Sequence, residues 1–311
     1  MAEKQTGIFP FTAIVGQDDL KLALSLCAVD VQTGGVLARG EKGTGKTTAV
    51  RAMGEMLSEG ENRFPVVNLP IGATEDRVLG AVDLEKLINE KRQSVRAGLL
   101  EQANGGILYI DEVNLLDDYL TDILLDAAAA GEYMLERDGI SRRVVSRFRL
   151  VGTMNVEEGE LRPQLLDRFG LCVEVGAPGD TETRTEIARR RMEFDSDPGG
   201  FRARFEREQE KARLAITGAA ENLESVKIPG GLFEKASAMA SECGAEGMRA
   251  DILIVKSARA LAALEGRDEA TGRDAERVAP FVLAHRSAAA RDSGEQTEKK
   301  TPKNPKLKAA T

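Results

Sequence analysis

The chain has 311 residues, enough for about two domains of ordinary size, and its formal net charge is −8. That negative charge, an aromatic content of only 4% and the absence of tryptophan argue against a nucleic-acid binder that attracts phosphates or stacks bases. No stretch approaches the roughly 18 apolar residues of a membrane span and no signal peptide is evident, so we expect a cytoplasmic protein, or a stromal one in an organism with plastids.

The first predicted element is a helix over residues 18–30. Two aspartates open it, and from Leu20 onward apolar side chains recur at the i, i+3, i+4 and i+7 positions of one helix face. An apolar segment that contains Ile14 and Val15 lies ahead of this helix. These two side chains either join the core or cover the face of an adenine ring, and we treat both as candidates for nucleotide contact.

Residues 40–47 spell G-x-x-x-x-G-K-[ST] without a mismatch, which is the pattern of a phosphate-binding loop. A short apolar run over residues 35–38 precedes the loop, and residues 48–57 follow it with helical spacing. The loop therefore has the strand before it and the helix after it that the pattern requires. The candidate nucleotide contacts are Gly40, Glu41, Lys42, Gly43, Thr44, Gly45, Lys46, Thr47 and Thr48.

The residue types in this loop suit the chemistry of a triphosphate. Gly43 and Gly45 can take positive φ, which lets the backbone curl until its N–H groups face the phosphates. Lys46 is expected to reach the β- and γ-phosphates, and the Thr47 hydroxyl is expected to bind Mg²⁺. A nucleoside triphosphate with Mg²⁺ is thus the predicted ligand.

A buried strand bracketed by prolines is predicted at residues 64–70, followed by a long connection over residues 71–102. The connection mixes turn residues with helical pieces around residues 83–90 and 99–103. It is longer than a usual crossover, so we expect an insertion here.

An apolar strand over residues 107–112 ends in two acids, Asp111 and Glu112. An unbroken apolar run fits a strand that is covered on both faces, as in a parallel sheet. Acids at its end lie at the carboxyl edge, where open α/β sheets bind ligands. Asp111 is suited to hold Mg²⁺ through water, and Glu112 to polarise the water that attacks the γ-phosphate.

A helix over residues 115–131 comes next, followed by a hairpin over residues 134–148 that turns at Asp138 and Gly139. A further buried strand over residues 148–155 ends in Asn155. An asparagine in such a place is more often a turn former, but beside a hydrolytic acid it can orient the attacking water.

A short helix over residues 161–169 contains Arg168 near its end and leads into a strand over residues 171–175. Strands that alternate with helices predict an α/β layer with a mainly parallel sheet. Beyond residue 181 only helices are predicted, and the polar tail cannot bury enough apolar surface to order itself. The predicted divisions are an α/β nucleotide-binding domain (1–180), a helical linker (181–222), a second helical domain (223–292) and a disordered polar tail (293–311).

Together, these motifs resemble an AAA+ ATPase, and longer stretches resemble the magnesium chelatase subunit I family in particular. The resemblance extends over about residues 7–290 of the chain. The stretches that carry it are residues 9–17 (FPFTAIVGQ), 34–44, 72–78 (GATEDRV), 109–117 (YIDEVNLLD), 125–129, 136–141 and 157–171 (EEGELRPQLLDRFGL).

The resemblance implies a five-stranded AAA+ core with an insert in its second helix and a hairpin before the strand that ends in asparagine, followed by a helical lid. It implies ATP as the nucleotide, bound with Mg²⁺. It assigns Asn155 to the position called sensor 1 and Arg168 to the arginine finger that reaches the γ-phosphate of a neighbouring subunit. Arg249 in the lid aligns with sensor 2.

The family's reaction is the insertion of Mg²⁺ into protoporphyrin IX, in which this subunit is an ATP-driven ring motor, expected to be hexameric. The implied partners are an AAA+-like subunit with an integrin-type domain and a large porphyrin-binding subunit. The only histidine of the chain is His285, which we predict to be a helix-face residue rather than a ligand. We therefore expect ATP hydrolysis in this chain and metal insertion in its partners.

Three other functions are compatible with parts of the sequence. Val156 stands where the family commonly has proline, which leaves room for a MoxR-like or cobalt-chelatase-type motor with a different partner. Arg142 and Arg143 in the hairpin are compatible with a DNA-translocating AAA+ protein, but the negative net charge of the chain argues against DNA binding. Glu112 argues against a nucleotide-binding scaffold that does not hydrolyse.

Overall fold

The computed structural model describes residues 7–58, 60, 63–82, 95–137, 140–155, 157, 159, 161 and 163–286. The predicted helical piece at residues 83–90, the turn at Asp138 and Gly139, and the predicted tail at residues 293–311 lie outside the described residues.

A parallel sheet forms the centre of the fold. The strands are β1 (Val36–Arg39), β2 (Val66–Leu69), β3 (Gly80–Val82), β4 (Val95–Ala97), β5 (Ile107–Ile110), β6 (Glu132–Arg137), β7 (Ile140–Val145), β8 (Arg149–Met154) and β9 (Leu171–Glu174). Five of them pair in the order β2–β5–β8–β1–β9, and all four pairings are parallel. The predicted α/β class with a five-stranded sheet is confirmed.

Burial along each strand follows its place in this order. All four residues of β5 are buried, as its unbroken apolar run predicts, because β2 and β8 flank it and layers cover both faces. The prediction that the strand at residues 64–70 is buried is wrong in part. Asn68 of β2 is exposed and its two valines are only half-buried, since β2 is the outermost strand at its end of the sheet and, among the described strands, pairs only with β5.

Helices cover both faces of the sheet. They are α1 (Asp18–Val29), α2 (Lys46–Leu57), α3 (Glu75–Leu79), α4 (Leu99–Gln102), α5 (Asp118–Ala130), α6 (Pro163–Arg168), α7 (Thr181–Ser196), α8 (Pro198–Asn222), α9 (Gly230–Glu242), α10 (Arg249–Leu264) and α11 (Gly272–Leu283), with 3₁₀ turns at Phe11–Ala13, Val31–Thr33, Val113–Leu115 and Leu223–Ser225. Because strand side chains alternate, Val36 and Ala38 of β1 face the core built with α1, α2 and the lid helices, while Leu37 faces the core built with α4 and α5.

Two antiparallel strand pairs extend from this sheet. The predicted hairpin is present as β6 and β7, paired from Glu132 with Val145 to Arg137 with Ile140. The expected insertion contains α3 and a second antiparallel pair, β3 with β4, which the sequence analysis missed. Each of these two strands has only three residues, too few for a period of two to be recognised.

Beyond β9 the described chain is helical, as predicted. Helix α8 is the longest of these helices, with 25 residues, and α10 has 16. Helices α9, α10 and α11 share one hydrophobic core with α1 and the sheet. The boundaries at residues 180, 222 and 292 stay predictions. No helix in the described part of the chain is long and apolar enough to cross a membrane.

Candidate active site

The carboxyl ends of three neighbouring strands bring the predicted nucleotide residues to one edge of the sheet. β8 lies between β1 and β5, with Arg39 of β1 in register with Met154 and Ile110 of β5 in register with Gly152. The Gly40 N–H donates to the Met154 carbonyl at 3.0 Å, which joins the start of the phosphate loop to the end of β8. The loop, the acids after β5 and the asparagine after β8 therefore lie at this carboxyl edge.

The phosphate loop has the predicted backbone. Gly43 and Gly45 take φ of 80° and 86°, as the motif requires. Gly40 is required for a different reason, since a Cβ there would overlap the carbonyl oxygen of Val175. Lys46 is buried, and its Nζ donates to the carbonyls of Gly40 and Glu41 at 2.6 Å each. Burial lowers the pKa of Lys46, while nearby acids oppose that shift.

A chain of hydroxyl and carboxylate groups connects the loop to the acids. The Thr47 Oγ1 lies 2.8 Å from the Tyr109 hydroxyl, which donates to Asp111 Oδ1 at 3.0 Å. Thr153 Oγ1 donates to the same carboxylate oxygen at 2.5 Å and accepts the Glu112 N–H at 3.2 Å. We call Thr47, Tyr109, Asp111 and Thr153 the hydroxyl chain. Its members come from α2, β5, the turn after β5, and β8.

The sequence analysis did not single out Tyr109 or Thr153. One signal was available for Tyr109, because it stands two residues before Asp111 on a strand and therefore shares its face. The position of Thr153 depends on β8 lying next to β5, a sheet order that the sequence alone does not specify.

The hydroxyl chain supplies the kind of ligands that Mg²⁺ prefers. Thr47 Oγ1 and the exposed Asp111 carboxylate are hard oxygen donors on the same sheet edge. The residues that the structure describes contain no cluster of three or more His, Cys, Asp or Glu side chains suited to a metal ion. A cation that takes one or two protein ligands and shares its other positions with phosphates and water fits this donor set.

Glu112 is held in an unusual backbone conformation at the end of β5. Its φ of 54° places a non-glycine residue in the left-handed region, a strained conformation that often occurs at functional sites. One carboxylate oxygen lies 2.9 Å from Lys42 Nζ, so the predicted base contacts the phosphate loop. Asn155 is buried directly after β8, and its Oδ1 accepts the Glu157 N–H at 3.3 Å.

The segment before α1 also contacts the loop. Ile14 packs against the core and is only partly buried, as is Val15, so their contact with a base stays a prediction. Gln17, which the sequence analysis did not select, donates from its side-chain amide to the carbonyls of Thr44 and Gly176 at 3.2 Å each. Gln17 and Glu112 are the two non-glycine residues with positive φ in the described part of the chain, and both border the loop.

Arg168 lies at the opposite edge of the sheet. It ends α6, and two residues later the Gly170 N–H donates to the carbonyl of Gly34, which lies ahead of β1. Since β9 runs parallel to β1, this end of α6 is at the amino edge, whereas the phosphate loop follows the carboxyl end of β1. The rise of β1 alone separates these edges by about 10 Å. The structure therefore does not bring Arg168 to the loop of its own chain.

Arg249 accompanies Arg168 at the amino edge. It is the first residue of α10, its Nη1 lies 3.6 Å from Asp167 Oδ2, and its Nη2 donates to the Arg168 carbonyl at 3.3 Å. The two arginines of the predicted site are thus neighbours of each other.

A buried arginine fastens the lid to this segment. Arg286 donates to the carbonyls of Asp167 at 2.9 Å, Phe169 at 2.7 Å and Gly170 at 3.2 Å, and to the carbonyl of Val282 at 2.8 Å. Its Nε lies 3.4 Å from Asp167 Oδ1. Only 4% of Arg286 is exposed. We call Arg286 and its carbonyl partners the lid clamp.

His285 contributes to the same contact. It is buried just beyond the end of α11, where its Nε2 lies 3.0 Å from the Phe169 carbonyl oxygen. A carbonyl only accepts, so Nε2 carries the proton of the neutral ring. Burial, reinforced by the charge of Arg286, lowers the pKa of His285 to about 3. The histidine predicted to lie on a helix face instead joins the lid to α6.

Comparison with known proteins agrees with this architecture. Models of the AAA domain (dynein-related subfamily) and of the AAA lid domain match residues 35–169 and 234–304. The magnesium-chelatase subunit ChlI homolog of Methanocaldococcus jannaschii is 47% identical over 90% of this chain and 85% of its own length. The magnesium-chelatase 38 kDa subunit of Rhodobacter capsulatus is 46% identical over 91% of this chain and 89% of its own length.

A solved structure of a magnesium chelatase complex also matches this chain. It describes the complex between subunits BchI and BchD of magnesium chelatase, and the matching chain is 45% identical with a TM-score of 0.52. The match covers 93% of this chain and 99% of that one. The predicted family is confirmed, and this chain belongs to the magnesium chelatase subunit I family of AAA+ ATPases.

Proposed function

We propose that this protein is the ATP-hydrolysing motor of a magnesium chelatase and that its partner subunits insert Mg²⁺ into protoporphyrin IX. One observation carries the proposal. A phosphate loop, a pair of acids and a buried asparagine meet at one sheet edge, in a chain that is 46% identical to a magnesium-chelatase subunit over most of its length. The partners would be an AAA+-like subunit with an integrin-type domain and a porphyrin-binding subunit.

Binding of ATP begins at the phosphate loop. The N–H groups of residues 40–47 surround the phosphates, and Lys46 exchanges its two loop carbonyls for β- and γ-phosphate oxygens. Thr47 and Asp111 would hold Mg²⁺ at the neighbouring strand end. When bound, Mg²⁺ would neutralise the negative charge of the phosphates.

Hydrolysis uses the residues at the ends of β5 and β8. Glu112 accepts a proton from the attacking water, and Asn155 orients that water. Because Lys42 lies 2.9 Å from Glu112, the base has to leave this ion pair before it can turn toward water at the γ-phosphate. The side chains of Ile14 and Val15 would cover the adenine.

The two arginines complete the site of another copy. Arg168 and its neighbour Arg249 lie at the amino edge, whereas the phosphate loop follows the carboxyl edge. We therefore propose that each chain carries the two halves of an interface on opposite faces. Such head-to-tail contacts close into a ring, for which we propose six copies. We propose the cytoplasm, or the stroma of a plastid, as its location.

The proposal is tested by identifying what the chain binds in its own cells. We expect affinity purification to recover a porphyrin-binding subunit, and the recovered complex to form magnesium protoporphyrin in an ATP-dependent reaction followed by its fluorescence. A complex built on the Lys46→Ala chain is the control and should be inactive. Recovery of a different metal-insertion partner, or ATP hydrolysis without insertion by the full set of subunits, would contradict the proposal.

A further inference from the structure

Tyr109 occupies the middle of the hydroxyl chain although its residue type has no common role in phosphate transfer. It is 2% exposed, and its hydroxyl lies within 3.0 Å of oxygens from both proposed Mg²⁺ ligands, Thr47 and Asp111. The aromatic ring packs in the core beneath α2. Packing accounts for the ring, but it does not account for a buried hydroxyl placed between two ligands.

The positions of the protons in the hydroxyl chain follow from what each group can donate. An ionised carboxylate only accepts, so the single phenol proton of Tyr109 goes to Asp111. The Tyr109 oxygen must then accept the proton of Thr47.

With the protons in these positions, Thr47 and Asp111 each keep an oxygen lone pair for a cation. The Thr47 proton points to Tyr109, which leaves the lone pairs of the threonine oxygen free. Asp111 Oδ1 already accepts from Tyr109 and Thr153, so Oδ2 is the carboxylate oxygen that remains. Hard cations bind oxygen lone pairs, and a hydroxyl proton directed at the cation would weaken that contact.

We infer that Tyr109 is a positioning residue for the Mg²⁺ of bound ATP, because it takes the proton of Thr47 and fixes the carboxylate of Asp111. The inference rests on the proposed ATP function. It extends that function to a residue that contacts neither the phosphates nor the cation and acts through the two residues that do.

The test separates the contribution of Mg²⁺ from nucleotide binding as a whole. A fluorescent, non-hydrolysable ATP analogue is titrated into the full chain with Mg²⁺ and again with a chelator, and the ratio of the two affinities is the Mg²⁺-dependent gain. Tyr109→Phe keeps the ring and removes the hydroxyl. We expect it to lower this gain about tenfold, since one hydrogen bond to a charged group is lost. The affinity in chelator should not change.

Tyr133 provides a matched control. It is a half-buried tyrosine whose hydroxyl donates to the Leu79 carbonyl at 2.7 Å, away from the phosphate loop. Tyr133→Phe should keep the full Mg²⁺-dependent gain. Thr153 gives a second, independent pair of variants. Thr153→Val should lower the gain, and Thr153→Ser, which keeps the hydroxyl, should restore it.

Each result bears on the inference. An unchanged gain in Tyr109→Phe overturns it, as does an equal loss of affinity with Mg²⁺ and in chelator, which would show a purely structural role. A wild-type chain that does not bind the analogue at all would overturn the proposed function as well. If the wild-type chain shows the Mg²⁺-dependent gain and Tyr109→Phe shows the same gain, only the inference is overturned and the proposed function stands.

Discussion

The two edges of the central sheet are built from different kinds of contact. At the carboxyl edge, the hydroxyl chain joins side chains to side chains across three elements, and it leaves Asp111 exposed. At the amino edge, the lid clamp joins one buried guanidinium to backbone carbonyls. The first edge presents side chains to a ligand, whereas the second fixes the path of the backbone.

A site that hydrolyses ATP has to bind and activate the reactants and also has to place charged groups around them, and in this chain the two kinds of group lie at different edges. The carboxyl edge carries the groups that we propose bind ATP and activate water, and hydrogen bonds between their side chains hold them close together. The amino edge holds Arg168 and Arg249 next to each other, and we propose that they serve another copy. The proposed ring makes one site from the carboxyl edge of one copy and the amino edge of the next, so the two edges should respond differently to substitution.

The largest expected effect tests whether the amino edge acts on another chain. Arg168→Ala should lower ATP turnover by about 10³-fold or more while ATP binding persists. Mixing it with Lys46→Ala chains should restore part of the activity, because the second variant supplies the arginine and the first supplies the loop. Turnover is measured at several mixing ratios.

Arg189→Ala is the matched control for this experiment, since Arg189 is an exposed arginine paired with Glu186 on α7. It should leave turnover unchanged. If mixed rings show no rescue although both variants assemble, the arginine does not act across an interface.

The second prediction tests the carboxyl edge. Glu112→Gln should leave ATP binding intact and slow hydrolysis by about 10² to 10⁴-fold, because a neutral amide cannot accept the proton of water. Mixing with Lys46→Ala should not rescue it, in contrast to Arg168→Ala. Glu174→Gln, an exposed glutamate at the end of β9, is the control. Retained turnover in Glu112→Gln would remove Glu112 as the base.

The third prediction concerns the lid clamp. Arg286→Met should lower the free energy of unfolding by about 3 kcal/mol, because several buried carbonyls lose their donor. Denaturant unfolding measures this effect. Arg184→Met, at an exposed arginine with one 3.4 Å contact to the Pro178 carbonyl, should be nearly neutral. Equal stability of the two variants would show that the clamp contributes little.

The smallest expected effect is a pH dependence of the same contact. The folded pKa of His285, about 3, lies below its ordinary value of 6.5, so the unfolded chain takes up the proton first as the pH falls. Its contribution to stability is present above pH 6.5 and is lost below it, by at most about 1.4 kcal/mol per pH unit.

His285→Gln keeps an N–H donor for the Phe169 carbonyl and does not titrate. The difference in unfolding free energy between wild type and this variant should therefore change between pH 7 and pH 5, with the wild type losing more stability. A difference that is constant with pH would show that His285 has the same pKa in the folded and the unfolded chain.

The sequence alone indicates where the local parts of this candidate site lie. The phosphate loop, the two acids and Asn155 are each recognisable from a few consecutive residues, and each follows a strand that the structure contains. The parts that it does not predict depend on distant pairing. Thr153 meets Asp111 because β8 lies beside β5, and Arg286 meets Asp167 across 119 positions of the chain. The spacing of apolar residues within a segment gives no information about contacts between such distant residues.

The lid clamp holds the backbone on both sides of Arg168, the proposed arginine finger. Arg286 contacts the carbonyls of residues 167, 169 and 170, together with the Asp167 carboxylate, and none of these contacts uses the side chain of Arg168. Where residue 168 lies and what it does chemically are thus specified by different parts of the chain. In the proposed ring, replacing the side chain of residue 168 should therefore change its chemistry toward the next copy while the backbone at this position stays in place.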